Sequence, residues 1–235
     1  FNPFLLYNRK LTKHLELQTK LTSAFIQGNL ANVNYLSDIY IATNTSITLK
    51  DKKPKLHQQL NIVAGIKIPF STANFKKNGQ ALPMAYQPSL ATVDIIAGIN
   101  YIIFGCEMNA AFQIPVAQIN KNSYVKETGN LTFNNEKDTF ASTNLFKRKP
   151  DFLFRFGYVF HTKNYKWLFK PNVLNIVHLG QDTYVDAFGK RQKINGSEGY
   201  TLNAAFNMTY IINKHNAMTY KTIMADSNQL TNERV

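Results

Sequence analysis

The chain has 235 residues, with 27 Lys and Arg against 14 Asp and Glu, a formal net charge of +13, and one cysteine. A lone cysteine excludes an intramolecular disulfide framework and a cysteine-rich zinc site, and no run approaches the roughly 18 consecutive apolar residues of a membrane-spanning helix. Positive charge favours partners bearing phosphate or carboxylate. The basic residues, however, stand in short clusters (Lys52, Lys53 and Lys55; Lys76 and Lys77; Lys147, Arg148 and Lys149; Lys190, Arg191 and Lys193) and not along one stripe or helix, which speaks against nucleic acid and reads first as solvated loop edges; anionic lipid headgroups and lipopolysaccharide are the other phosphate-bearing partners the net charge allows.

The opening FNPFLLYNRK has no basic region followed by an apolar run and a small-residue cleavage site, so it leaves localisation undecided. Residues 1–8 read as a first strand and 9–13 as a turn. In 15–26, Leu15, Leu17, Leu21 and Phe25 alternate with Glu16, Gln18, Lys20 and Thr22. In 33–49, Val33, Tyr35, Ile39, Ile41, Ile47 and Leu49 share one face against Asn34, Asp38 and Asn44. Leu60, Ile62, Ala64, Ile66 and Ile68 oppose Asn61 and Lys67. After a long break at 71–91, Val93, Ile95, Ala97, Ile99, Tyr101 and Ile103 oppose Asp94, Gly98 and Asn100. Past a tight turn at Gly105, Cys106, Met108, Ala110, Phe112, Ile114 and Val116 oppose Glu107, Asn109 and Gln113. A second long break, 118–150, leads to DFLFRFGYVF, where Phe152, Phe154, Phe156, Tyr158 and Phe160 oppose Arg155, Gly157 and His161. The short break HTKNY, a strand to 179, a third long break at 181–198, a strand at 200–212, the short INKHN and a strand at about 217–225 complete the chain.

This period of two, with no helical period of comparable length, predicts an all-β fold. Strands of soluble sandwiches usually run about 5–6 residues, whereas a tilted strand crossing a bilayer needs about 9–11, and most segments here meet the longer requirement. In lipid only a closed barrel pairs every backbone group of such strands. Aromatic residues near the strand ends, among them Tyr40, Phe70, Tyr101, Phe104, Tyr165, Trp167, Tyr200 and Tyr210, match the interfacial girdles of outer-membrane barrels. So does the alternation of short and long connections, the short ones (DKKPK at 51–55 among them) being expected on the periplasmic side. Carried to the ends, this parity leaves both termini outside. The expectation is a single transmembrane antiparallel up-and-down β-barrel domain over 1–235, with about ten strands visible of an expected twelve and a strand lacking at each end.

The run at 65–114, GIKIPFSTANFKKNGQALPMAYQPSLATVDIIAGINYIIFGCEMNAAFQI, resembles the central signature of outer-membrane barrels related to the FadL-type transporters, including meta-pathway phenol-degradation transporter-like proteins. Gly65, Lys67 and Pro69 match that family's strand ending GxKxP. Leu82, Pro83, Gln87 and Pro88 match its LP and QP elements, and Asp94, Gly98, Asn100 and Tyr101 its following strand. FKPNV at 169–173 and GYTLNAAFNMTYIIN are similar to later family strands, so the resemblance covers roughly 60–212. Ser89, Leu90, Ala91 and Thr92 stand where the family has the glycine-rich GTGS. The resemblance implies a Gram-negative outer-membrane barrel passing small or hydrophobic molecules, and identifies no cargo.

A charge facing lipid at the bilayer midplane costs about 2–4 kcal/mol, which turns the polar face inward. The candidate lumen-lining residues are therefore Lys67, Asp94, Asn100, Glu107, Asn109 and Gln113, followed by Arg155, Lys170, Asn172, Asn203 and Asn207. The histidines, His14, His57, His161, His178 and His215, lie far apart, so no metal site is expected. No GxSxG element or phosphate loop appears, and neither enzyme activity nor a cofactor is expected. Two alternatives to a transporter stand beside it: a non-conducting barrel subunit of a larger outer-membrane complex, and a soluble β-sandwich binding module.

Overall fold

The computed structural model describes residues 2–48, 58–126, 140–164 and 166–211, together with the backbone of the strand at 217–226. Its elements in chain order are β1 (Phe4–Lys10), β2 (Leu15–Gln27), β3 (Asn32–Thr48), β4 (Gln58–Pro69), the short β5 (Lys76–Lys77) and β6 (Gln80–Ala81), β7 (Thr92–Ile103), β8 (Cys106–Gln118), β9 (Asp151–Tyr158), the short β10 (Phe160–His161), β11 (Trp167–His178), the short β12 (Thr183–Val185) and β13 (Arg191–Lys193), β14 (Gly199–Ile211) and β15 (Ala217–Asp226). The long strands join antiparallel in the order β1-β2-β3-β4-β7-β8-β9-β11-β14-β15, with β10 on β11, while β5–β6 and β12–β13 are separate hairpins. The sheet is thus up-and-down, and it curls through 236° into a half-barrel. The described residues include a 3-10 turn at Met84–Tyr86, and among them no helix is long and apolar enough to cross a membrane. The turns expected at 51–55 and 212–216 lie outside the described residues.

Alternation sorts the side chains between two surroundings. On β9, Asp151 and Gly157 are buried whereas Phe154 and Phe156 are exposed. On β7, Asp94 is buried and Ile95 and Ile99 are exposed; on β8, Phe112, Ile114 and Val116 are exposed. The polar set occupies the concave side, where side chains from non-adjacent strands meet, and the apolar set the convex side. Aromatic contacts gather near the strand ends on the convex side: Trp167 with Tyr210 at 4.6 Å between centroids and Tyr158 with Phe160 at 4.5 Å at the short-turn end, Phe112 with Phe152 at 5.0 Å at the other.

Curling crowds the inside, and small residues relieve it. Gly65 lies opposite Ala42 and Gly98 opposite Ala111. A Cβ added at Gly65 would come within 2.8 Å of the Ala42 Cβ, and one at Gly98 within 2.6 Å of the Ala111 Cβ. Two features locally modify the ladder. Phe104 (φ 49°) and Gly105 (φ 80°) both take positive φ in the tight β7–β8 connection, as a two-residue hairpin turn of matching twist requires. Pro171 has no N–H to offer β9, and β9 ends at Tyr158, which would stand opposite it; the register then resumes unchanged at Phe160 with Phe169.

One expected face is corrected. Val33 and Tyr35 do not share a face with Ile39 and Ile41, because the β2–β3 register shifts between Leu21 and Ser23, and one extra residue on β3 exchanges its two faces. Val33 is buried beneath the loops while Asn34, expected inside with Asp38, is exposed. The long breaks also hold structure that alternation does not reveal. Leu30, Ala31, Val33, Leu82 and Tyr86, with Ile26, Phe75 and Phe140 against them, form a buried apolar cluster at the long-loop end. There the β2–β3 connection is short, and Gly28 lies directly under the Tyr86 ring, where a Cβ would overlap the hydroxyl.

Inside crowding predicts that Gly98→Ala lowers stability by about 1–3 kcal/mol, the usual range for overpacking. Gly199→Ala, with nothing within 4 Å of the added Cβ, is expected to be near neutral. Urea unfolding in detergent measures both; equal effects would contradict the crowding argument.

Candidate functional site

Near the long-loop end, the concave face carries a chain of charges that alternate in sign. Lys67 on β4 stands directly opposite Asp94 on β7, and its Nζ lies 2.7 Å from Asp94 Oδ2 with the two side chains 2% and 0% exposed. Lys67 also donates to Thr92 Oγ1 at 2.9 Å, and Gln113 Nε2 donates to Asp94 at 2.5 Å. Arg148, just before β9, sits 3.8 Å from Asp94 and donates to Asp151. Asp151 Oδ1 lies 2.5 Å from His178 Nδ1, and His178 Nε2 lies 2.8 Å from Asp182 Oδ1. Carboxylates only accept, so this arrangement is satisfied when both ring nitrogens carry protons. The sequence Lys67, Asp94, Arg148, Asp151, His178, Asp182 is then neutral in sum, as groups with so little access to water require.

The chain also ties the connections down. Asp182 Oδ1 accepts the Lys149 backbone N–H at 2.7 Å, and the Asp182 N–H donates to Ser197 Oγ at 2.8 Å, so the 140–150 segment and the 179–198 connection meet at one carboxylate. Where the long-loop ends of β9, β11 and β14 meet the connection at 179–198, a cavity of about 300 Å³ opens beside Arg148, Asp151, His178, Asp182, Ser197 and Thr201. In the β12–β13 hairpin, Gln192 Nε2 and the backbone N–H groups of Lys190 and Phe188 donate to Asp186 and hold its carboxyl below the usual carboxylate range.

Buried amides organise the rest of this end. Asn122 donates from Nδ2 to the Ala73 and Leu82 carbonyls at 3.0 and 2.9 Å, and accepts at Oδ1 from the Tyr124 N–H and Thr143 Oγ1 at 2.8 and 3.0 Å. Gln87 exchanges bonds with both backbone groups of Phe75 and donates to the Leu82 carbonyl. Ser89 donates to Asp38 at 2.5 Å. These bonds join the 70–91 and 119–126 segments to the sheet as a packed cap.

A second polar group lies at mid-height. Glu107 on β8 and Asn172 on β11 both stand opposite Gly157, whose missing side chain leaves room for Lys170 Nζ to reach Glu107 at 2.5 Å. Arg155 NH2 lies 4.0 Å from the same carboxylate and 3.5 Å from Asn109 Oδ1. Asn61, Asn100, Asn109 and Arg155 form one row across β4, β7, β8 and β9.

The eleven expected residues thus divide. Lys67, Asp94 and Gln113 belong to the charge chain, and Glu107, Asn109, Arg155 and Lys170 to the mid-height group. Asn100 borders that group through Asn109. Asn172 donates weakly to the Ala205 carbonyl at 3.3 Å; Asn203 stands opposite Leu174 and Asn207 opposite Lys170. Sequence reasoning placed Asp38 on a polar face without counting it among the candidates, and missed Asn122, Arg148, Asp151, His178 and Asp182. Two of them were within reach: Asp151 and His178 are in phase with Arg155 and Lys170, one step further along strands already identified. Arg148, Asp182 and Asn122 lie in connections, where no periodicity reports a direction. Among the described residues no three His, Cys, Asp or Glu side chains converge on a common metal position.

Removing one partner of a buried pair leaves an uncompensated charge, so Lys67→Met is expected to destabilise by about 3–5 kcal/mol. Lys67→Met combined with Asp94→Leu is expected to cost less than the sum of the single changes, in a double-mutant cycle by urea unfolding. His178→Leu unties Asp182 from Asp151 and is expected to speed tryptic cleavage after Lys190 and Arg191 while leaving cleavage after Lys163, at the opposite end, unchanged; equal rates at both ends would count against the clamp. No family model matches this chain and no curated protein matches it, so the likeness to FadL-type transporters stands on the residues quoted for it alone.

Proposed function

We propose that this chain forms a β-barrel of the bacterial outer membrane, transporter-like, that passes small or hydrophobic molecules selectively. One observation carries the reading: a curled sheet of long strands exposes Ile95, Ile99, Phe112, Ile114, Phe154, Phe156 and Phe206 on its convex side while its charges pair on the concave side. In water so many neighbouring exposed apolar side chains form the kind of contiguous patch that soluble monomers rarely carry; in lipid it is the expected outer surface, with aromatics near both interfaces. A soluble sandwich would cover the face with a second sheet, and among the described residues the other sheets are two short hairpins. Ten strands take up 236°, so closure at this curvature needs about four more strands, more than the two expected from connection parity. The direction of β15 against β1 suits an even number of additions. Lipid and lipopolysaccharide are its surroundings, and neither catalysis nor a cofactor enters this reading.

The packed cap favours a second reading, a non-conducting barrel subunit of a larger outer-membrane complex. Asn122 and Gln87 hold the connections to one another and Ser89 ties them to Asp38 on β3, and such a cap suits a scaffold as well as a gate.

Extraction and reconstitution separate these. The protein is expected to need detergent, to migrate differently on gels before and after boiling, and to resist protease when inserted in lipid vesicles. A soluble monomer in plain buffer would refute the membrane assignment. Liposome swelling is expected to be slow and dependent on the solute. Steady nanosiemens conductance would contradict a constricted interior, whereas impermeable vesicles and a stable co-purifying partner would favour the subunit.

A further inference from the structure

We infer that the mid-height group is an anion-selective site, at which Arg155, aided by Asn109, receives small hydrophilic anions such as carboxylates and halides. The inference rests on the passage reading above and adds to it the class of solute. The charge chain at the long-loop end is balanced, cation for anion. The mid-height group is not. Among the described residues Glu107 is the one carboxylate there, Lys170 takes it at 2.5 Å, and Arg155 is left 4.0 Å away with its side chain 40% exposed.

Among the described residues the surroundings do not supply a second carboxylate. The row through Arg155 contains Asn61, Asn100, Asn109, Leu174 and Asn203, and the row through Glu107 contains Gln59, Ile102, Gly157, Asn172 and Ala205. Beyond Lys170 the register continues to Asn207 and Lys221. Glu16 lies one row nearer the long-loop end and on the far side of the curl, in a cavity shared with Lys10, Lys13 and His14. The charge that remains beside Glu107 is therefore positive.

A second observation points the same way. Asn109 Nδ2 is buried without a hydrogen-bond partner next to Arg155, as is Asn100 Oδ1 on the residue opposite it. An unused amide donor beside a half-free guanidinium is the donor set that a carboxylate or halide would satisfy, and guanidinium in particular offers paired donors to a carboxylate. Set on a low-dielectric wall, one surplus positive charge also raises the local concentration of anions.

The test uses the full chain reconstituted in planar bilayers under a potassium chloride gradient. Wild type is expected to show an anion-to-cation permeability ratio above one, Arg155→Gln a ratio near one, and Glu107→Gln a higher ratio than wild type, each variant first checked for the heat-dependent gel shift of the folded protein. Conductance without anion preference, or a preference unmoved by Arg155→Gln, would overturn the site while leaving passage intact. If the membranes do not conduct at all, passage fails and the site is judged separately: phenylglyoxal modification of Arg155, read by mass spectrometry, should be slowed by acetate. Equal modification with and without acetate overturns the site.

Discussion

The buried ion pair of Lys67 and Asp94 is the constraint around which the long-loop end is arranged. Two charges so nearly removed from water persist only if each is matched, and matching Asp94 draws in Gln113, Thr92 through Lys67, and Arg148. Arg148 brings Asp151, and Asp151 brings His178 and Asp182. Each step adds a residue from another strand or connection, so a requirement set at one cross-strand pair ends by fixing connections far away in sequence. The 140–150 segment and the 179–198 connection are tied down because the interior beneath them is charged, whereas the 70–91 and 119–126 segments rest on buried amides and an apolar cluster.

Curvature is the complementary constraint. A sheet that separates an apolar outside from a polar inside can curl only if the inner side chains have room, and Gly65, Ala42, Gly98 and Ala111 supply that room in the upper half. Gly157 has a different consequence: its absent side chain lets Lys170 meet Glu107. Where the sheet is spacious enough for long polar side chains, the charges are also least completely matched, and Arg155 is the result. Structural relief and functional potential thus arise from the same small residues.

Much of this was legible in the chain because a strand reports its own two faces. Phe152, Phe154 and Phe156 against Arg155 and Gly157, or Ile95, Ala97 and Ile99 against Asp94 and Asn100, need only the period of two to be assigned, and the up-and-down order follows from long strands joined by turns. The assignment failed at β3, where the phase of Val33 and Tyr35 carried past the bulge gives the wrong face for one half of the strand. A bulge is a relation between two strands, and alternation along one strand contains no trace of it. The site was half legible for the same reason: Lys67, Asp94, Glu107 and Arg155 lie on strands, Arg148, Asp182 and Asn122 in connections.

The sequence by itself determined the all-β up-and-down order, the two faces of most strands and many of the strand-borne polar groups turned away from the apolar side, since all three follow from local periodicity and the energetic separation of apolar from charged surfaces. Only the tertiary structure decided which charges meet. Lys67 finds Asp94 through register, Lys170 finds Glu107 across the gap at Gly157, and Asp182 reaches His178 because a connection folds back over the sheet. Pairing depends on distances between groups remote in the chain, and those distances are set by register, curl and loop packing, which act among strands and have no signature within any one of them.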